Sequence, residues 1–168
     1  MRTRVKICGL TRPDDVIFAV KAGADALGFV FYKRSPRYIS PEVARELANL
    51  VPAWVSTVGL FVNSEFNEIC EVANYVGVSH VQLHGDEPET LCKRINRPVI
   101  KAIRLPTSGI IDQAILSKLA KMSKSYLNCC SAVLLDSDTQ SYGGSGKTFK
   151  WEILDELVSQ FNGKWVLS

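Results

Sequence analysis

Short apolar runs alternate along the chain with segments of helical periodicity. The runs Val5–Cys8, Ala26–Phe31, Val55–Val62, His80–Leu83, Val99–Arg104, Ala132–Leu135 and Lys164–Leu167 read as buried strands. Six helices fit between them: Pro13–Ala22, Pro41–Leu50, Glu65–Val76, Glu87–Ile95, Asp112–Met122 and Trp151–Phe161. Punctuation supports this reading. Ser40 before Pro41 is a cap followed by Pro at the first helical position. Thr11 and Ser64 stand where caps for the first and third helices are expected, and Gly23 and Gly77 follow helix ends. The order βαβαβαβαβαβαβ, with strands rich in Val, Ile and Leu, predicts an α/β fold with a helix-covered parallel sheet. Periodicity alone leaves two architectures open, a doubly wound sheet and a (β/α)8 barrel. No linker divides the chain, so one domain over 1–168 is expected.

Composition changes this picture little and excludes much. The chain has 168 residues, 46% of them hydrophobic and 22% charged, with a net charge of +3. Apolar surface is ample for one core, and disorder is not expected. The basic residues are scattered rather than gathered into a stripe, so no nucleic-acid partner is expected. No apolar stretch is long enough to span a membrane, and the N-terminus lacks a signal-peptide core. The five cysteines (Cys8, Cys70, Cys92, Cys129 and Cys130) contain no C-x-x-C pair. They predict neither a disulfide framework nor a metal site. Free thiols point to a reducing, cytoplasmic setting. Cys70 and Cys92 fall on helices and read as packing residues, and Cys129-Cys130 suggests no role.

In parallel α/β folds the reactive groups collect at the carboxyl ends of strands. Six predicted strand ends carry polar residues here, among them Lys6 and Cys8, Arg37, His84, Arg104 and Asp136. A thiol, an imidazole, a carboxylate and guanidinium groups on one face make an acid/base set with an anion receptor. Cys8 stands two residues from Lys6, a cation that favours the thiolate, and reads as a base or nucleophile; the alternative is an inert buried thiol. Asp136 follows an apolar run, where loss of water on one side favours the protonated acid; the alternative is a loop-capping carboxylate, and Asp138 is its competitor. Arg37, in a loop bounded by Pro36, suits a carboxylate or phosphate in bidentate geometry. His80 and His84 share a strand face about 13 Å apart, too far for one metal. His84, at the carboxyl end, is placed at the site and His80 in a structural role.

The loop around Gly143, Gly144 and Gly146 ends in Gly146-Lys147-Thr148, like a phosphate-binding P-loop. The first Gly of that motif would stand at position 141, which is Ser. A ligand-approaching active-site loop is the better reading.

These pieces together resemble the phosphoribosylanthranilate isomerase family. The resemblance rests on Lys6-Ile7-Cys8-Gly9-Leu10-Thr11, Gly28-Phe29-Val30-Phe31, Ser35-Pro36-Arg37-Tyr38-Ile39, Val58-Gly59-Leu60-Phe61-Val62-Asn63, Gln82-Leu83-His84-Gly85, Leu134-Leu135-Asp136 and Gly143-Gly144-Ser145-Gly146-Lys147-Thr148-Phe149. It covers the whole chain in order. It implies a (β/α)8 barrel, an aldose–ketose isomerisation in tryptophan biosynthesis, a small phosphosugar–anthranilate substrate, and no metal or organic cofactor. It implies Cys8 as general base, Asp136 as general acid and Arg37 near the anthranilate carboxylate. His84, Gly143 and Gly144 are the further substrate-binding candidates. Acid and base would act from strands one and six across a barrel mouth.

Two departures from the family pattern stand out. Lys150 precedes Trp151 where relatives carry Asp, a charge change at a helix start. Relatives also continue past the seventh strand with loops that hold the substrate phosphate, so the expectation is a barrel truncated after strand seven, with either a longer natural product or something else closing the sheet. A non-catalytic fragment needing a partner, and another phosphosugar isomerase on the same barrel, are the competing readings. The latter typically uses two Asp where Cys8 stands here. Oligomeric state is not set by the sequence.

Overall fold

A computed structural model describes residues 2–107, 112–137, 154, 157 and 164–168. The chain forms two compact units, Met1–Leu83 and His84–Ser168.

The first unit runs β1 (Lys6–Cys8), α1 (Pro13–Lys21), β2 (Ala26–Val30), α2 (Pro41–Ala48), β3 (Ser56–Phe61), α3 (Phe66–Val76) and β4 (His80–Leu83). Its strands pair in chain order and all are parallel. Leu27, Phe29, Phe61, Val81 and Leu83 are fully buried. Such burial is worth about 1.5–3 kcal/mol for each large side chain. The Phe31 and Phe61 rings meet at 5.2 Å between centroids. The Ser40 cap forms as expected, its hydroxyl accepting from the Val43 amide at 3.4 Å. Gly77 closes α3 with φ 78°, the left-handed conformation that glycine adopts without a Cβ penalty. Two expected caps are not the caps observed. Arg12 and Glu65 occupy the N-cap positions of α1 and α3, and neither side chain makes a capping hydrogen bond. In α1 the start is fixed by Pro13, whose missing N–H removes one of the donors a cap would satisfy.

The second unit holds α4 (Glu89–Arg94), β5 (Val99–Leu105), α5 (Gln113–Leu127), β6 (Ala132–Ser137) and β7 (Trp165–Leu167). Its three strands are also parallel, β6 pairing with β5 and β7. Ile103, Leu105, Val133 and Leu135 pack with Leu116, Leu119, Ala120 and Leu157 into one core cluster. The strand period of two then turns Leu134 and Asp136 to the other face of β6. Helix α4 is shorter than its pattern predicts, because Pro88 restricts Glu87 to extended backbone and Pro88 itself becomes the cap position. Helix α5 runs past Met122 to Leu127, since Lys121–Leu127 contains no Gly or Pro to end it. Of the helix expected over Trp151–Phe161, only Leu154 and Leu157 are among the described residues, and both are helical.

Candidate active site

In the first unit a thiol from the carboxyl end of β1, an amine from its start and a guanidinium from the loop after β2 come together around Gly9 and Gly28. The register sets Cys8 opposite Gly28. A Cβ at Gly28 would lie 2.9 Å from Cys8 Sγ and 3.2 Å from Lys6 Nζ. The thiol and the amine therefore both lean over Gly28, a strand position that has no side chain. Gly9 turns the chain with φ 85°, and its amide donates to the Gly28 carbonyl at 2.8 Å. A Cβ there would stand 2.5 Å from Arg37 Cδ. Arg37 crosses Gly9 closely and donates from Nη1 to the Cys8 carbonyl at 3.1 Å. Its amide donates to Ser35 Oγ at 3.2 Å, which fixes the loop that presents it. Cys8 and Arg37, singled out separately in the sequence, are thus joined by the Gly9 turn.

In the second unit His84 and Asp136 meet. Nε2 of His84 lies 2.9 Å from Oδ2 of Asp136, with residue exposures of 4% and 7%. The other carboxyl oxygen accepts from the Ser137 amide at 2.8 Å. Asp136 is the fifth of six residues in β6, on the face turned away from the α5 packing. The carboxyl is held on both oxygens, one by backbone and one by a titratable ring. In the first unit, at the start of β4, His80 Nδ1 lies 3.0 Å from Ser79 Oγ, and burial holds the imidazole below its ordinary pKa. Gly143, Gly144, Asp138 and Lys150 lie outside the described residues.

Lys101, one of the polar residues near the end of the fifth predicted strand, has a partner that the sequence did not indicate. Lys101 and Glu87 form an ion pair at 3.1 Å, with side chains 3% and 1% exposed. The ammonium also donates to the carbonyls of Gly85 (2.7 Å) and Ala102 (3.0 Å). Both Glu87 oxygens accept from the Gly85 amide. Tyr126 donates to the Glu87 carbonyl at 2.8 Å, and burial first of all pushes its phenol up to about 12. Lys101 also lies 5.6 Å from the centre of the Tyr126 ring. The network pins Gly85 and Glu87, the residues that follow His84. The signal available in the sequence was Lys101 in the middle of an apolar strand, where a lysine needs a partner. Arg104 pairs with Asp86 at the same loop.

The fold is α/β, with parallel strands and helical crossovers; the first unit holds a thiol beside a guanidinium and the second a carboxyl–imidazole pair, groups of the kind that acid–base enzymes use. The family model for N-(5′-phosphoribosyl)anthranilate (PRA) isomerase matches residues 5–167. An N-(5′-phosphoribosyl)anthranilate isomerase of Thermotoga petrophila is 46% identical over 160 residues, spanning 94% of this chain and 73% of that protein. The crystal structure of phosphoribosyl anthranilate isomerase from Thermotoga maritima is 43% identical, with a TM-score of 0.82 over 99% of this chain and 77% of its own. Another phosphoribosyl anthranilate isomerase structure, 38% identical with a TM-score of 0.78, spans 99% of this chain and 75% of its own. It holds reduced 1-(o-carboxyphenylamino)-1-deoxyribulose 5-phosphate. The chain belongs to the N-(5′-phosphoribosyl)anthranilate isomerase family.

Proposed function

We propose that this chain catalyses the isomerisation of N-(5′-phosphoribosyl)anthranilate to 1-(2-carboxyphenylamino)-1-deoxyribulose 5-phosphate, with Asp136 as general acid and Cys8 as general base. The family match over residues 5–167 carries the reaction. The ligand in the related structure is the reduced form of the expected product, which supports the same phosphosugar substrate class. The fold reading is the family's (β/α)8 barrel, with residues 1–168 supplying seven of its strands as one domain.

The chemistry assigns each group a task. Asp136 gives its proton to the ring oxygen of the ribose, and the C1′–O4′ bond breaks as the anthranilate nitrogen lone pair forms an iminium. That cation acidifies the C2′ hydrogen. Cys8, as thiolate, takes this proton, and the C–H electron pair forms the C1′–C2′ double bond of an enolamine. The enol loses its hydroxyl proton as C1′ gains one, leaving the C2′ ketone. Each group contributes on the order of 10²–10⁴ in rate. Arg37 provides the fork that suits the anthranilate carboxylate. The contact of His84 with Asp136 suggests that it orients the acid in addition to lining the substrate site. Gly143 and Gly144 are proposed to approach the substrate through their backbone. No cofactor is needed for these proton transfers.

The test generates the substrate in situ from anthranilate and phosphoribosyl pyrophosphate with the preceding transferase, then treats the mixture with acid. Unreacted N-glycoside returns free anthranilate under acid, whereas the ketosamine does not. Accumulation of an acid-stable product that depends on the chain is expected. Quantitative recovery of anthranilate would overturn the reading.

A further inference from the structure

Cys92, Cys129 and Cys130 converge although the sequence gives no metal-ligand spacing. Their three sulfur atoms all lie within 4.8 Å of one another. Cys129 Sγ and Cys130 Sγ are 3.9 Å apart. A zinc-type ion with sulfur ligands at about 2.3 Å in tetrahedral geometry sets neighbouring sulfurs about 3.8 Å apart. One pair therefore already has the ligand spacing, and the third sulfur needs to move by no more than about an ångström. We propose that these three thiols form a site for one thiophilic divalent cation of the zinc type, with the fourth position left to water.

Rigid elements build the triad. Cys92 lies on the buried side of α4. At the end of α5 the amides of Cys129 and Cys130 both donate to the Tyr126 carbonyl, at 3.0 and 2.8 Å, which draws the two adjacent cysteines into a tight turn. Ser131 then donates to the Val99 carbonyl and anchors that turn to the start of β5. Cys92 and Cys130 are buried, whereas Cys129 is half-buried and marks the side from which an ion enters. Direct bridging of Cys129 to Cys130 is disfavoured by disulfide geometry between neighbouring residues. Three thiolates around a divalent ion leave one negative charge. Soft thiolate ligands select zinc-like and cuprous ions over magnesium or calcium.

The site stands apart from the acid. It lies at the amino-terminal start of β6, whereas Asp136 lies four residues further on than Ala132, about 13 Å along the strand. Bound there, the ion would tie α4 to the α5–β6 connection, a structural role rather than a step in the isomerisation.

The probe is Cd²⁺, added to the full chain after reduction and removal of adventitious metal, with sulfur-to-cadmium charge-transfer absorption as the readout. A Cys8→Ser/Cys70→Ser background removes the two cysteines of the other unit. The proposal expects saturation at one ion per chain in this background, displacement by Zn²⁺, and an absorption that falls by about one third per thiolate removed. Cys129→Ser, at the half-buried position, is expected to fold and to weaken binding on the order of a hundredfold. Far-ultraviolet circular dichroism checks that fold, and Cys129→Ala serves as the second variant. Absence of saturable binding, binding unchanged in both Cys129 variants, or binding lost with Cys8 and Cys70 would each show three packed thiols and no site.

Discussion

Nε2 of His84 lies 2.9 Å from Oδ2 of Asp136, and both side chains are almost wholly buried. An acid that must give a proton and take one back in each turnover gains from a fixed partner that can share it. Replacing His84 by Ala should lower kcat by about ten- to a hundredfold with a smaller change in KM. His84→Gln keeps one donor and should recover part of the loss. Leaving the buried carboxyl short of a partner should also lower stability by about 1–3 kcal/mol. Steady-state fluorescence assays from pH 5 to 9, with urea unfolding in parallel, separate the two effects.

Gly28 makes room for Cys8. In Gly28→Ala the new methyl would meet Sγ at 2.9 Å and the Cys8 Cα at 3.2 Å. The thiol can swing away, but the neighbouring backbone cannot easily do so. The expected result is a large fall in kcat and altered alkylation of Cys8 by iodoacetamide, in a chain that still unfolds cooperatively. Alkylation and turnover both at the native level would remove Gly28 from the account.

Gly9 makes room for Arg37 in the same way. Gly9→Ala combines a left-handed φ of 85° with a Cβ 2.5 Å from Arg37 Cδ. The backbone cost alone is about 1–2 kcal/mol. KM should rise because the guanidinium is displaced. Arg37→Lys should raise KM as well without the stability loss, since an ammonium lacks the two-pronged geometry. Urea midpoints and KM values for the two variants form the comparison.

Lys101 and Glu87 predict a non-additive pair. Lys101→Met strands a buried carboxylate and should cost about 3–5 kcal/mol, as should Glu87→Leu for the stranded ammonium. The double variant should be more stable than the sum of the singles predicts. A double-mutant cycle by denaturant unfolding measures this directly.

Acid should destabilise the first unit through Asp25. Arg2 donates to both of its oxygens (2.8 and 2.5 Å), the Val5 amide to one of them (2.9 Å) and Arg4 to the other (3.0 Å). The Arg2 hydrogen bonds foremost, then that of Val5, hold the carboxyl well below its ordinary value of 3.8. A carboxyl with a depressed folded-state pKa contributes stability above its unfolded pKa, and that contribution is lost as pH falls through the folded value. The loss should therefore begin near pH 4 and deepen below it. Asp25→Asn should flatten that acid limb, and added salt should weaken the effect in the native chain because the Arg2 and Arg4 side chains face solvent.

The alternation of apolar runs and helical segments was enough to place all seven described strands, because each carries a short run enriched in Val, Ile and Leu between segments of helical period. Ser40 and Gly77 were legible for the same local reason: one hydroxyl or one missing Cβ does the work. Boundaries set by tertiary demands were not. Glu87 carries a helix-like pattern, yet its carboxylate is committed to Lys101 and Gly85, and Pro88 keeps it out of α4. Cys8, Arg37, His84 and Asp136 could be picked out by position at strand ends, but the Arg37–Cys8 and His84–Asp136 contacts are products of packing. The thiol triad was hidden because Cys92 and Cys130 come from separate helix ends, and no sequence spacing encodes their approach.

The most direct test of the central claim is the decay of anthranilate fluorescence with substrate made in situ, comparing this 168-residue chain with its Cys8→Ala and Asp136→Asn variants. The account predicts enzyme-dependent decay with the native chain and a fall of about 10²–10⁴ in rate for each folded variant. Decay that proceeds undiminished in both variants would contradict it, by showing that neither the thiol nor the carboxyl moves the proton.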